Sequence, residues 1–410
     1  MKAHQSTPRE KEIRVVLYSH DSQGLGHTRR NLAIAHALAA TLPELSGRTV
    51  TGLLVTGESH APRFDIPEGW DWVVLPGVRK GADGYIPRHL SIGQKKLVRL
   101  RSSLIDAVLA GFKPHLVIVD RHAFGIDGEL KQALAGLRAA RPACRVVLGL
   151  REVLDSPSVA KREWKNLGNL DSLASAFDAL WVYGDPGFHD PVRTGEIPLQ
   201  LSPLVRYSGY LSAGRVSRRR TSGARKPYLL TLAGGGSDGL DVLLTAARAT
   251  LPETYEHLII TGPQMPKEHR VRIEQAAGPR TRVLGAVRDA LAEIKEASAI
   301  VSMGGYNSVC EILSTSTPAL IVPRISPRRE QLIRAESLAR HDLVDVCQPA
   351  EFTPAELSRW FSSVAGSDVD RSAVDLAGLE AVGGLAADLL QVRMSGVNRP
   401  LEDWTSCEAV

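Results

Sequence analysis

The sequence predicts an α/β protein of two doubly wound, Rossmann-like domains, and three observations predict it. Short apolar, β-rich runs alternate with segments of helical period along most of the chain, the pattern of parallel strands joined by crossover helices. At 410 residues the chain exceeds one ordinary domain core, so two domains are expected. Glycine-rich turns directly follow strand-like runs at residues 24–26, 234–236 and 304–305, the position where open α/β sheets bind ligands.

In the first half, residues 13–18 read as a buried strand and 29–40 as the helix after it. Runs at 49–55, 72–75, 115–119, 146–150 and 179–182 continue one parallel sheet, with helical periodicity over 92–110 and 127–140. The composition then shifts to small residues followed by Arg215, Arg218, Arg219, Arg220, Arg225 and Lys226 with no acid among them, which places a solvated basic linker at 211–226. A second series has strands at 228–233, 257–261, 282–284, 299–302 and 318–323. Its helices fall at 239–250, 288–297, 330–340 and 354–364, and a last helical stretch, 373–393, is interrupted at Gly378 and at Gly383 and Gly384. The expected organisation is a flexible N-terminus (1–12), a first domain (13–210), the linker (211–226), a second domain (227–394) and a tail (395–410).

Composition narrows the function. With 43% hydrophobic and 23% charged residues, both halves can bury a core. Aromatic residues make up only 5%, which argues against stacking of single-stranded nucleic acid, so no nucleic-acid partner is expected. Cys144, Cys310, Cys347 and Cys407 stand far apart with no C-x-x-C, fitting reduced thiols and no structural zinc. The first residues are polar and no apolar run reaches spanning length, so neither a signal peptide nor a transmembrane helix is expected and a cytoplasmic location is. A net charge of +5 suits anionic substrates or a membrane surface without selecting either.

Three loops carry the chemistry. In the first, Gly24 and Gly26 permit a tight strand-to-helix turn and His27 stands at the helix mouth, as a general base or as a structural, capping histidine. It is not a dinucleotide fingerprint, because Arg29 stands where the third glycine belongs. In the second, Gly234, Gly235 and Gly236 can bring backbone N–H groups to a diphosphate, and Ser237 can cap the helix or donate to a phosphate oxygen. It lacks the lysine of a Walker A loop, so ATP hydrolysis is not indicated. The third begins at Gly304 and Gly305, where a helix opens at once with Asn307 and Ser308 in its first turn. Glu311 lies further along that helix, a carboxylate that can accept from a ribose diol; Glu330 and Gln331 open a later helix and can bond sugar hydroxyls. Asp368 and Asp370 form a D-x-D string in a Gly/Ser-flanked loop and read as a solvated turn.

These residues resemble the two-domain GT-B glycosyltransferases of family 28, the type that adds N-acetylglucosamine to a lipid-linked peptidoglycan precursor. The resemblance rests on the Gly-Leu-Gly-His turn ending at His27, the Gly-Gly-Gly-Ser turn ending at Ser237, and residues 302–331, which carry Gly-Gly-x-x-Ser-x-x-Glu and Pro-Ala-Leu-x-x-Pro. It implies two Rossmann-like domains facing a central cleft and a UDP-linked sugar held mainly by the second domain. Glu311 would hold the ribose, Ser237 and the 234–236 turn the diphosphate, Val287 in the 285–288 loop the base, and Glu330 and Gln331 the sugar. His27 would lie on the acceptor side with Glu152 as an assisting carboxylate. The implied reaction inverts the anomeric centre and uses no metal or other cofactor. The implied acceptor is a hydroxyl, lipid-linked or on a small molecule, with peripheral contact at the inner face of a membrane.

The helix expected at 92–110 offers a device for that contact: an apolar face of Leu97, Leu100, Leu104, Ile105 and Val108 flanked by Lys95, Lys96, Arg99 and Arg101, the pattern of an ordinary amphipathic surface helix or of one docking on anionic lipid. A nucleotide-sugar epimerase, a non-catalytic nucleotide-sugar-binding protein and a Rossmann oxidoreductase remain as other classes, the last disfavoured by Arg29.

Overall fold

The computed structural model describes residues 11–20, 25–81, 84–215, 217 and 226–392. The first domain opens with β1 (Glu12–Tyr18), α1 (Gly26–Ser46), β2 (Thr49–Thr56) and β3 (Trp70–Val74). A hairpin, β4 (Val78–Gly81) and β5 (Gly84–Pro87), precedes α2 (Gln94–Phe112), β6 (Leu116–Asp120), α3 (Lys131–Ala140) and β7 (Arg145–Arg151). Helices α4 (Pro157–Leu167) and α5 (Leu170–Ala176) lead to β8 (Ala179–Tyr183) and β9 (Val205–Tyr207). The second domain begins with β10 (Tyr228–Leu232), α6 (Leu240–Ala247), β11 (Glu256–Ile260), α7 (Lys267–Ala276), β12 (Thr281–Leu284) and α8 (Ala290–Glu296). It continues through β13 (Ala299–Ser302), α9 (Tyr306–Leu313), β14 (Ala319–Ile321), α10 (Glu330–Ala339), β15 (Asp345–Val346), α11 (Pro354–Val364) and α12 (Gly378–Leu389).

Each domain is one parallel sheet between helices. The seven-stranded first sheet has the order β3-β2-β1-β6-β7-β8-β9, and the six-stranded second sheet β12-β11-β10-β13-β14-β15. Strands β6, β8 and β10 are buried at every residue, as both-face coverage by crossover helices requires, and for that reason they read as largely apolar runs without polar alternation. The strand order reverses between β1 and β6 and again between β10 and β13. Such switch points open a crevice beyond the carboxyl ends of the strands.

The last helix departs from expectation. Gly383 and Gly384 do not interrupt it; α12 runs straight through them and both are buried. A side chain at Gly383 would place its Cβ 1.9 Å from Thr41 Oγ1, so the absent side chain is what lets α12 cross close over α1 of the first domain. Leu379, Val382, Ala386 and Ala387 of α12 share one apolar core with Ile34, Leu38 and Leu42 of α1. The chain therefore crosses between domains twice, and the crossings run side by side: Tyr210 N–H donates to Asp375 O at 2.8 Å and Gly378 N–H to Tyr210 O at 3.1 Å.

Helices α4, α5 and α7 and the β4–β5 hairpin lie outside the expected elements. In α7 only Ile273 is buried, so there was no apolar stripe to betray a helical period. The predicted surface helix is α2, where Leu100 and Leu104 are exposed but Arg101 is not on the surface: its guanidinium forks onto buried Glu129 at 2.6 and 2.8 Å. Most of the basic linker and the whole of the tail from 395 fall outside the described residues. Among the described residues no helix is long and apolar enough to cross a membrane.

Candidate active site between the two domains

The first switch point brings β1 and β6 together in parallel register, Tyr18 opposite Val119. Helix α1 starts just beyond β1 with His27 as its second residue, while β6 ends on Asp120. His27 Nδ1 lies 2.8 Å from Asp120 Oδ2, with His27 partly exposed and Asp120 fully buried. Arg30, one turn along α1, donates to both oxygens of Asp120 at 2.6 and 2.7 Å. Burial alone would raise the Asp120 carboxyl, but Arg30 and His27 outweigh it and hold the group well below the ordinary carboxylate range. A buried, ionised carboxylate on Nδ1 fixes the imidazole tautomer and leaves Nε2 free to accept a proton.

Two further histidines stand behind this pair. His20 contacts Tyr85 Oη at 2.9 Å, and its ring lies 5.9 Å from His27 and 3.9 Å from His122, centre to centre. Burial pushes both His20 and His122 well below the usual imidazole range, so they stay neutral beside His27.

The second switch point is glycine-built. Gly234 and Gly236 follow β10 at φ 60° and 90°, and Gly304 follows β13 at φ 73°, all in the left-handed region that favours glycine. At Gly236 an added Cβ would lie 2.2 Å from Thr261 O, so the loop is pressed against its neighbour. Gly305 caps α9 with no side-chain acceptor, which leaves the N–H groups of that helix turn, where Asn307 and Ser308 stand, directed at the crevice. The Cβ position of Gly234 is 4.0 Å from Ser308 Oγ, so the two turns adjoin.

The switch points face one another. Asn307 Nδ2 donates to Gly26 O at 2.9 Å, and Arg29 Nη2 reaches Glu311 Oε1 at 2.7 Å. Arg215 lies 3.6 Å from the same Glu311 oxygen and 3.1 Å from Asn307 Oδ1. Glu311 is thus in the cleft, buried, and already engaged by cations from outside its own helix. Glu330 is buried with Oε1 on Arg324 at 2.6 Å, and Gln331 Oε1 accepts from the Arg324 N–H at 2.8 Å. Val287 is half-buried in the loop after β12. Ser237 is exposed and does not cap α6, whose N-cap is Gly239. Gly24 lies outside the described residues.

One expectation is corrected. Glu152 is not the carboxylate behind His27; Asp120 is. Glu152 is fully buried and takes Arg334 of α10 on both oxygens, at 2.5 and 3.1 Å, while Arg334 Nη1 also donates to Gly304 O at 3.1 Å. A carboxylate so engaged is an interdomain strut. Tyr306 completes the seam, with Arg30 and Arg334 from opposite domains over its ring at 5.4 and 5.6 Å. Asp120 had a signal in the sequence, a lone acid closing an apolar strand. Arg30 and Arg334 had none, because their partners lie in other elements. The D-x-D residues Asp368 and Asp370 are exposed, with Asp368 accepting from Ser316 Oγ at 2.5 Å.

Two parallel-sheet domains with their switch points opposed across a cleft, and a C-terminal helix returned to the first domain, define the GT-B glycosyltransferase architecture. Within it, residues 230–365 match the glycosyltransferase family 28 C-terminal domain. Solved structures of similar fold include CalG4, the calicheamicin glycosyltransferase, at TM-score 0.58 and 16% identity over 96% of this chain and 100% of that one. MurG of Acinetobacter baumannii gives 0.52 and 17% over 92% and 99%. The glycosyltransferase VinC, solved in complex with dTDP, gives 0.57 and 15% over 93% and 99%.

Proposed function

We propose that this protein transfers a sugar from a nucleotide diphosphate, UDP-linked, to an acceptor hydroxyl with inversion at the anomeric carbon. The observation that carries the reading is the His27–Asp120 pair at one switch point facing the uncapped α9 turn at the other. The acceptor hydroxyl gives its proton to His27 Nε2 as its oxygen attacks C1. The C1–O bond to the diphosphate breaks, and its electron pair leaves on the phosphate oxygen. Asp120 stabilises the imidazolium that results. The N–H groups of α9 and of the 234–236 loop meet the growing negative charge, a type of preorganised contact worth about 3 kcal/mol per donor. In this scheme the leaving group is stabilised without a metal ion. Glu311 takes the ribose hydroxyls, Val287 borders the base, and Ser237, Glu330 and Gln331 hold the diphosphate and sugar. The exposed Leu100 and Leu104 of α2, with Lys96 and Arg99 beside them, suit peripheral docking on an anionic membrane if the acceptor is lipid-linked.

The test is a thermal-shift panel of UDP, GDP, dTDP and NAD, paired with turnover of UDP-N-acetylglucosamine, on wild type, Glu311→Ala and His27→Ala. Stabilisation by UDP lost in Glu311→Ala is expected. In His27→Ala, UDP binding should persist while turnover, including slow hydrolysis of the donor, falls about 10²- to 10⁴-fold. Stabilisation by NAD alone would remove the reading.

A further inference from the structure

The cleft is lined with arginines, and those around Arg151 are matched by carboxylates. Arg30 is held by Asp120, Arg334 by Glu152 at 2.5 Å, and Arg121 by Glu163 at 2.7 Å. Arg328 reaches both Glu163 at 2.7 Å and Asp155 at 3.3 Å. Arg151 is the exception. Among the described residues its Nε is buried without a hydrogen-bond partner, and no ion pair includes its guanidinium. The side chain is only partly exposed, so it is not a cation reaching out into bulk solvent. The opposite charge that acts on it most is Glu330 across the cleft, itself committed to Arg324 through Oε1 and left with Oε2 buried and unpartnered. Burial and the neighbouring arginines weaken Arg151's hold on its proton, to a pKa of about 9, yet it stays charged at neutral pH. Leaving such a group unsatisfied is costly unless a ligand completes it.

Its position says which ligand. Arg151 ends β7, next to β6 in the sheet, two residues beyond Gly149, which pairs with Asp120. Strand geometry then puts the Arg151 and Asp120 backbones about 8 Å apart, with both side chains on the same sheet face. Arg151 therefore belongs to the first domain and to the neighbourhood of His27, and it faces Glu330 and Arg334 of α10 across the cleft.

We propose that Arg151 forms an anion site separate from the diphosphate site, and that the acceptor carries a phosphate or carboxylate which this site binds while its hydroxyl meets His27. The unpartnered oxygen of Glu330 faces the same space and accepts from a hydroxyl of the same complex. This assignment rests on the transferase reading above and adds the chemical class of the acceptor.

Phenyl phosphate and benzoate, titrated calorimetrically into the full-length protein with and without saturating UDP, test it and separate the two anion sources. The variants are Arg151→Gln and Arg151→Lys, each checked for an unchanged circular dichroism spectrum. At least one of the two anions should bind in the presence of UDP, about tenfold more weakly to Arg151→Gln and nearly normally to Arg151→Lys, with UDP affinity equal in all three proteins. Binding of neither anion, or binding indifferent to Arg151→Gln, overturns the proposal. So does a loss of UDP affinity in Arg151→Gln, which would make the residue a nucleotide contact or a closure partner of Glu330. If UDP fails to bind wild type, the transferase reading falls, while the anion titrations without UDP still decide whether Arg151 holds an anion.

Discussion

At the scale of single residues, the buried histidines divide by environment. His27 touches solvent and a carboxylate, whereas His257 in β11 has, among the described residues, Thr231 Oγ1, 2.8 Å from its Nε2, and the edge of Phe361. Burial pushes His257 down to about 3, so it stays neutral in the folded protein at every ordinary pH. The unfolded chain takes up a proton near about pH 6.5, and the sign follows: stability is whole above that value and is lost as pH falls through the window down to about 3. One such group should cost about 1.4 kcal/mol per pH unit below 6.5, or about 2 kcal/mol at pH 5. His20 and His122 act in the same direction. Urea titrations at pH 7.5 and 5.0 should therefore show a smaller pH loss in His257→Gln than in wild type. Equal losses would mean that His257 takes up its proton in the fold as readily as in the unfolded chain.

At the scale of elements, α12 shows how a glycine pair can mislead. Glycine weakens a helix by about 1 kcal/mol relative to alanine when nothing else intervenes, and Gly383→Ala would on that ground stabilise. Here the added methyl meets Thr41 at 1.9 Å, and α12 cannot move off without opening the core it shares with α1. The expected outcome is a net loss of about 1–3 kcal/mol, measured by chemical denaturation, with partial recovery in the double variant Gly383→Ala, Thr41→Ala, where the Cβ of residue 41 still lies 2.7 Å from the added methyl. Stabilisation by Gly383→Ala alone would show that the two helices have slack between them.

At the scale of the whole molecule, the domains are joined by ion pairs that the nucleotide must negotiate. Glu311 is the expected ribose ligand, yet Arg29 from the other domain occupies its Oε1 at 2.7 Å. If ribose replaces Arg29, then Arg29→Ala should bind UDP up to about fivefold more tightly, since a partly exposed pair of this kind is worth about 1 kcal/mol or less. Weaker binding would instead make Arg29 a nucleotide contact. This is also where the sequence was least legible. Strands, glycine turns and His27 are local and could be read directly, because apolar runs and φ-permissive residues leave a mark in neighbouring positions. The partners could not be read: His27 and Asp120 are 93 positions apart, and Glu152 and Arg334 are 182 apart. Which carboxylate stands behind His27 depends on strand order, and strand order is a property of the folded sheet. The same holds for α12, whose glycines look like breaks until α1 is laid against them.

The return of α12 also sets a timetable. A ribosome delivers the first domain complete in its strands long before residues 378–389 exist, yet the flank of α1 around Thr41, which rests on α12 rather than on the sheet, stays open until they arrive. The nascent first domain must wait with that flank open while the entire second domain is made. Cutting the gene between the two sheets would leave one fragment with an open flank and the other with a helix that has nothing to rest on. The two halves are thus separate in architecture but finish folding as one.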